Sequence, residues 1–367
     1  MPGYKLKISE RIMDKYIFEL MNKFAIKGTP VRCAPCGEGH INKTFLVETD
    51  TEEKYILQRI NNHVFKNVDE LMKNISSISE FLSNDDNDLI RIPMLYKTKA
   101  GENYVHHDDD TYWRLTDYID GICFQVSERP DDFYKAALAF GRFQQTLAKF
   151  PAETLYETIP DFHNTVDRYR KFHEIVDADR CGRNASAQPE IEFVLERETI
   201  ADSLMSQLEA GLLPLRVTHN DTKLNNVLFD KETRDPIAIL DLDTVMPGLS
   251  VCDFGDAVRF GASTAREDEQ DLSKVEFDLN LFESFTKGYF EACPDLTRQE
   301  KLMMPMGAKI IALELGSRFL GDYLDGDRYF AIARESHNLD RARTQLKLAA
   351  DMEKKWDEMN AITAEYM

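Results

Sequence analysis

Between Val217 and Phe229 the chain reads V-T-H-N-D-T-K-L-N-N-V-L-F, which sets His219, Asp221 and Asn226 in the order H-x-D-x-x-x-x-N. Asp241, in the run I-A-I-L-D-L-D, follows Asn226 by fifteen positions. This is the layout of a loop for phosphoryl transfer. A carboxylate such as Asp221 can accept a hydrogen bond from a hydroxyl and hold its oxygen in line with phosphorus. Asn226 and Asp241 offer hard oxygen ligands to Mg²⁺, which also needs phosphate oxygens and water. Two apolar runs, Val227–Phe229 and Ile237–Leu240, flank the solvated turn D-K-E-T-R-D-P. They predict a hairpin that returns Asp241 to the side of Asn226. The nearby residues divide by role. His219 is expected to pack and hydrogen-bond. Lys223 either faces the transferred phosphoryl group, where its charge offsets developing negative charge, or is a surface lysine. Asp243 is either a second metal ligand or an acid one layer further out.

The rest of the chain bounds the classes of partner. At 367 residues it is long enough for two lobes with their own cores. A formal charge of −20 argues against nucleic acid or an anionic membrane as a partner. The start, M-P-G-Y-K-L-K, lacks the apolar core of a signal peptide, and no apolar run reaches the length of a membrane span. Six scattered cysteines read as reduced thiols of a cytoplasmic protein. Cys33 and Cys36 form a lone C-x-x-C with no second pair, so zinc is not inferred.

Hydrophobic periodicity organises the remainder. Residues 8–26 and 64–83 predict amphipathic helices, and between them the chain reads strand, glycine turn, strand, then a further strand at 54–60. Two more strands follow at 92–98 and 112–121, with the His106–Asp110 cluster read as a solvated hairpin tip rather than a metal site. Beyond that the chain turns helical. Phe133–Leu147 predicts a buried helix, 164–178 and 190–210 predict amphipathic ones, and a last helix is expected over 338–360. T-R-Q-E at Thr297–Glu300 is a capping box opening another.

With these residues in view, the chain resembles the aminoglycoside phosphotransferase and choline kinase superfamily, which shares the bilobal protein-kinase fold. The wording T-H-N-D-T-K-L-N-N-V-L-F-D with I-L-D-L-D-T-V-M-P-G most resembles bacterial N-acetylhexosamine 1-kinases. The resemblance implies an α+β chain with a sheet-based N-lobe over residues 1–116 and a helical C-lobe over 117–367. It implies ATP and Mg²⁺, and a small sugar acceptor phosphorylated at its anomeric hydroxyl with Asp221 as base. Choline, homoserine, methylthioribose or an antibiotic are the alternative acceptors, and a non-catalytic nucleotide-binding scaffold is the alternative of another kind. Gly37, Gly39 and Asn42 form the G-x-G-x-x-N of a loop covering the phosphates. Asp117, Tyr118 and Ile119 fall at the hinge, where backbone groups would read adenine.

The chain departs from the pattern at one place: Gln58 stands where a phosphate-gripping lysine is expected, with Arg59 one position later. Strand side chains alternate, so one of the two faces the nucleotide; charge favours Arg59 and register favours Gln58. The literal Asp253-Phe-Gly255 lies twenty-seven positions after Asn226, too far for the metal-binding acid. Asp253 is read instead as a brace beneath the catalytic loop. Thr222, Arg318, Tyr323 and Tyr329 are the candidates for acceptor recognition. Arg318, on a mostly apolar helix, is either a recognition residue or half of a structural ion pair. The oligomeric state is not legible.

Overall fold

The structure is a computed structural model that describes residues 15–37, 41–83, 90–108, 110–127 and 129–367. Two compact units make up the chain, one of Met1–Asp86 with Arg91–Asp120 and one of Asn87–Ile90 with Gly121–Met367.

The first unit is an antiparallel sheet with helices. Residues 15–21 are helical (α1). The strands are β1 (Pro30–Pro35), β2 (Lys43–Thr49), β3 (Lys54–Ile60), β4 (Leu95–Tyr96), β5 (Val105–His107) and β6 (Thr111–Asp117), in the order β1-β2-β3-β6-β4 with β5 also on β6. In β3 the period of two buries Tyr55 and Leu57, which pack with Ile17, Leu20 and Met21 of α1 and with Trp113 and Leu115 of β6. Helix α2 (Val68–Ser83) buries Val68, Leu71, Met72, Ile75 and Ile78, one stripe at helical spacing. His106 belongs to a strand: its ring stacks on Tyr112 at 4.4 Å and bonds to Asp110.

The second unit is mostly helix: α3 (Pro130–Leu147), α4 (Thr165–Ala178), α5 (Gln188–Leu195), α6 (Met205–Glu209), α7 (Ser250–Gly261), α8 (Leu279–Ala292), α9 (Arg298–Leu324), α10 (His337–Lys354) and α11 (Trp356–Glu365). Four short strands, β7 (Arg216–Thr218), β8 (Val227–Phe229), β9 (Pro236–Ile239) and β10 (Met246–Gly248), pair as β7 with β10 and β8 with β9. Two helices expected as continuous are broken. The 190–210 segment is α5, a tight turn at Glu198–Ile200 and then α6, and the C-terminal helix breaks at Lys355. Among the described residues no helix is long and apolar enough to cross a membrane.

Helix α7 is buried along nearly its whole length. It can cross α9 closely because both present glycine: a Cβ on Gly255 would sit 2.6 Å from the Gly307 carbonyl oxygen. The capping box forms as expected, Thr297 accepting from the Glu300 N–H and Glu300 from the Thr297 N–H. Glu300 does more than cap. It also accepts from Arg216 of β7 (Nη2, 2.8 Å) and from Ser250 at the start of α7 (2.6 Å). Burial alone would raise its pKa; Arg216, Ser250 and the Thr297 N–H outweigh that and hold it below the ordinary value. One buried carboxylate thereby ties α9, α7 and the strand entering the His219–Asn226 loop.

Candidate active site

The loop after β7 is fixed from below by α7. Asp253 Oδ2 accepts the His219 N–H at 2.8 Å and Oδ1 accepts the Asn220 N–H at 2.7 Å. Thr222 donates to the Asp253 carbonyl. Asn220 holds a left-handed conformation at φ 61°, and its amide donates to the Thr244 carbonyl at 2.9 Å. His219 is fully buried: Nε2 meets the Leu240 carbonyl at 2.9 Å, and the ring packs edge-on to Phe140 and Phe143. It packs and hydrogen-bonds, as its place in the motif suggested.

This support presents Asp221. Its Oδ1 lies 3.0 Å from Lys223 Nζ, and its Oδ2 accepts Asn226 Nδ2 at 3.0 Å. Burial acts to raise its pKa, but Lys223, His219 and the two hydrogen bonds prevail, so the carboxyl sits below its ordinary value. Lys223 is raised in turn, chiefly by Asp221 against the cost of burial, with a further contribution from Asp256. Asp256 and Arg259, which the sequence reading passed over, follow Asp253 at i+3 and i+6 on α7. Arg259 grips Asp256 Oδ1 through Nε (3.0 Å) and Nη2 (2.7 Å) and reaches Glu267 at 2.8 Å.

The β8–β9 hairpin forms with Val227 opposite Ile239, and the Leu240 N–H donates to the Asn226 carbonyl at 2.8 Å. Asn226 and Asp241 therefore stand at adjoining ends of paired strands. The Asn226 nitrogen is committed to the Asp221 carbonyl and carboxylate, so the amide oxygen is the atom left to act as a metal ligand. Asp241 is exposed at φ 59°, a left-handed conformation that aspartate tolerates better than most residues, and Asp243 is buried in the turn that follows. Among the described residues no three His, Cys, Asp or Glu side chains gather into a metal-holding group. The donors present, one amide oxygen and neighbouring carboxylates, are of the hard type that fits Mg²⁺.

The acceptor candidates separate. Thr222 is buried with its hydroxyl given to Asp253, which makes it part of the brace. Tyr323 is likewise enclosed, bonded to Ser186 at 3.0 Å and covered by the Arg183 guanidinium. These two depart from the expectation because both hydroxyls are used in holding loops. Arg318 has no carboxylate within ion-pair distance among the described residues; it lies among the rings of Phe162, Tyr329 and Phe330 at 5.5–5.9 Å. Tyr329 is exposed. Arg168 of α4 adjoins them: its Nη2 holds the Phe162 carbonyl, and its Nε is buried without a partner. Burial, then the like charge of Arg318, lowers the Arg168 pKa. One turn before Arg318, Glu314 accepts from Thr165 (2.9 Å) and pairs with His163 (3.0 Å).

In the sheet unit, Gly37 holds φ 79°, as a glycine turn requires, while Gly39 lies outside the described residues. Asn42 accepts the Asn61 N–H at 2.9 Å, joining the loop's end to β3. Gln58 bonds to Thr44 and Arg114, whereas Arg59 shares the face of Tyr55 and Leu57. The Asp117 N–H donates to Met94 and the Tyr118 N–H to Lys54, and the Asp117 carboxylate takes the Met94 N–H and Arg91; Ile119 is half-buried.

Residues 32–288 match the phosphotransferase enzyme family, and the chain belongs to that family. Its fold is the protein-kinase-like one of a sheet lobe and a helical lobe. A microcompartment-associated aminopropanol kinase is similar at 18% identity with a TM-score of 0.62, over 94% of this chain and 98% of that one. A choline kinase from Cryptosporidium parvum Iowa II is similar at 14% identity with a TM-score of 0.62, over 96% and 98%. An amicoumacin kinase in complex with AMP-PNP and Ca²⁺ is similar at 13% identity with a TM-score of 0.58, over 93% and 95%.

Proposed function

We propose that this phosphotransferase moves the γ-phosphoryl group of ATP to the anomeric hydroxyl of an N-acetylhexosamine such as N-acetylglucosamine or N-acetylgalactosamine. The observation that carries the acceptor assignment is Arg318 lying unpaired among aromatic rings beside a second arginine, Arg168. Choline, ethanolamine, aminopropanol and aminoglycosides are cations, and two guanidinium groups repel them. A neutral sugar brings hydroxyls and an amide carbonyl that accept from arginine, and an apolar ring face that stacks on tyrosine.

In this reading Asp221 orients and deprotonates the hydroxyl, and Lys223 balances charge on the transferred group. Asn226 and Asp241 would hold Mg²⁺, with Asp243 beside them, and the metal supplies charge neutralisation at the phosphates. Residues Gly37–Asn42 cover the phosphates, and the Ile119 backbone reads adenine, the Asp117 and Tyr118 N–H groups being committed within the sheet. Catalysis rests on positioning and electrostatics, with no covalent enzyme intermediate.

Phosphorus-31 NMR of the protein with ATP, Mg²⁺ and an acceptor panel tests this, run beside Asp221→Asn. An anomeric sugar phosphate formed by the wild type, and reduced roughly 100- to 10,000-fold in the variant, is the expected result. A phosphate ester on choline or homoserine instead would discard the sugar and keep the chemistry. ATP binding with no product on any acceptor would favour the scaffold.

A further inference from the structure

Phosphoryl-transfer enzymes with this arrangement place a lysine on the third strand of the sheet to hold the nucleotide phosphates; β3 has Gln58 there. The sheet register shows what surrounds it. Gln58 pairs with Thr44 of β2 on one side and with Arg114 of β6 on the other, so the three side chains form one row on one face. The row is hydrogen-bonded throughout. Arg114 Nε donates to Gln58 Oε1 at 3.0 Å, and Gln58 Nε2 donates to Thr44 Oγ1 at 3.1 Å. The Gln58 amide is thus fixed at both ends. Thr44 lies two residues beyond Asn42, so the row starts at the root of the loop between β1 and β2. Arg59 falls on the opposite face, with Tyr55 and Leu57.

We propose that Arg114 supplies, from β6, the cationic phosphate contact that β3 lacks, and that Gln58 orients it. The assignment rests on the reading of ATP as phosphoryl donor. Arginine suits the task one strand away from the usual position. Its side chain is longer than that distance demands, it stays charged at every working pH, and its planar fork matches two phosphate oxygens. Glutamine suits the orienting task because it is neutral: a carboxylate there would hold the guanidinium against the sheet and cancel the charge that phosphate needs. Arg114 is only 4% exposed, and its Nε bond to Gln58 holds one edge of the guanidinium in the row.

Calorimetric titration of adenosine, ADP and ATP, with Mg²⁺ present throughout, separates a phosphate contact from a structural one. Arg114→Met should weaken ADP and ATP roughly 10- to 100-fold and leave adenosine within about twofold. Arg114→Lys should fall between. Adding Gln58→Lys to Arg114→Met, which returns a cation to β3, should recover about tenfold of the lost ATP affinity. Equal weakening of adenosine and ATP would make Arg114 a structural residue and overturn the proposal, as would unchanged ATP affinity in Arg114→Met. Should Arg114→Met not fold, the Arg114→Lys and Gln58→Lys single variants still decide it: adenosine and ATP moving in parallel in both overturns it. Wild-type protein that binds no adenine nucleotide would fail the ATP reading first, and this assignment with it.

Discussion

Replacing Asp253 by asparagine should separate stability from activity in this protein. Asp253 is buried on α7 and accepts two backbone N–H groups from the His219–Asn226 loop. Burial pushes its pKa up, and the His219 charge and both hydrogen bonds pull back only in part, leaving it at about 6 against an ordinary 3.8. That displacement means the fold favours the neutral carboxyl by about 3 kcal/mol. The sign follows directly. Between pH 3.8 and about 6 the folded chain keeps a proton that the unfolded chain has released. This group's contribution to stability therefore falls by about 3 kcal/mol as pH rises through that window, and is flat above it. Asp253→Asn lacks the titration. Its unfolding free energy, measured by urea denaturation, should gain on the wild type by about 3 kcal/mol between pH 4 and pH 7. At pH 7 it offsets the other effect of the change, an amide NH₂ facing a backbone N–H, which costs about 1–3 kcal/mol. Activity has no such offset. A loop displaced by about 1 Å loses roughly 100-fold in kcat, so the variant should be about as stable as wild type and nearly inactive. A stability difference that does not change with pH would refute the buried-carboxylate argument. Full activity would refute the brace.

Three further outcomes are expected. If the acceptor is the proposed N-acetylhexosamine, Arg318→Leu should raise its KM about 10-fold or more, by loss of charge-assisted hydrogen bonds, with KM for ATP unchanged in steady-state assays. Gly255→Ala should lower stability by about 3 kcal/mol in chemical denaturation, because its Cβ meets the Gly307 backbone and neither helix can yield. Glu300→Ala should cost about 3–5 kcal/mol by leaving the Arg216 charge buried and unpaired. Since the Glu300 pKa is lowered in the fold, its contribution is present above its ordinary value of 4.5 and is lost as pH falls below it. A thermal-shift series from pH 7 to pH 3 should therefore show wild type and Glu300→Ala converging.

What could be read without coordinates was what lies close in sequence. The loop His219–Asn226, its hairpin to Asp241 and the Thr297 capping box are set by spacings of a few residues between unlike chemical types, and each forms as expected. The brace was legible too, from the place of Asp253 after Pro247 and its distance from Asn226, and Asp253 does accept the His219 and Asn220 N–H groups. The readings left open or overturned needed long-range pairing to resolve. Whether Gln58 or Arg59 shares a face with polar partners depends on which residues of β2 and β6 lie opposite, and Arg114 is fifty-six positions from Gln58. Thr222 and Tyr323 look available in a linear reading. Their hydroxyls are taken by Asp253 and Ser186, on elements that periodicity does not bring together. The 190–210 segment keeps one amphipathic phase across Glu198–Ile200, so its break into two helices leaves no mark on the apolar stripe.

The distribution of charge bears on the proposed acceptor class by another route. The chain is strongly acidic, at −20, yet among the cations near these residues Arg259 is buried and Arg168, Arg318 and Lys223 are partly buried. Burying a guanidinium costs several kcal/mol unless it is paired. Arg259 is paired, with Asp256 and Glu267, and Lys223 with Asp221. Arg168 has no ion-pair partner of that kind among the described residues: the like charge of Arg318 acts on it against the opposite charges of Glu314 and Asp167, and its Nε is unsatisfied. A pair of that kind persists in a fold of marginal stability when something outside the chain completes it. Oxygen-rich ligands do so and cations do not. Excess acidic charge elsewhere on the surface would draw a cationic acceptor toward the protein, but under the proposed function the Arg168 and Arg318 charges would oppose its docking beside them, because a partly desolvated charge outweighs the screened surface field at contact distance.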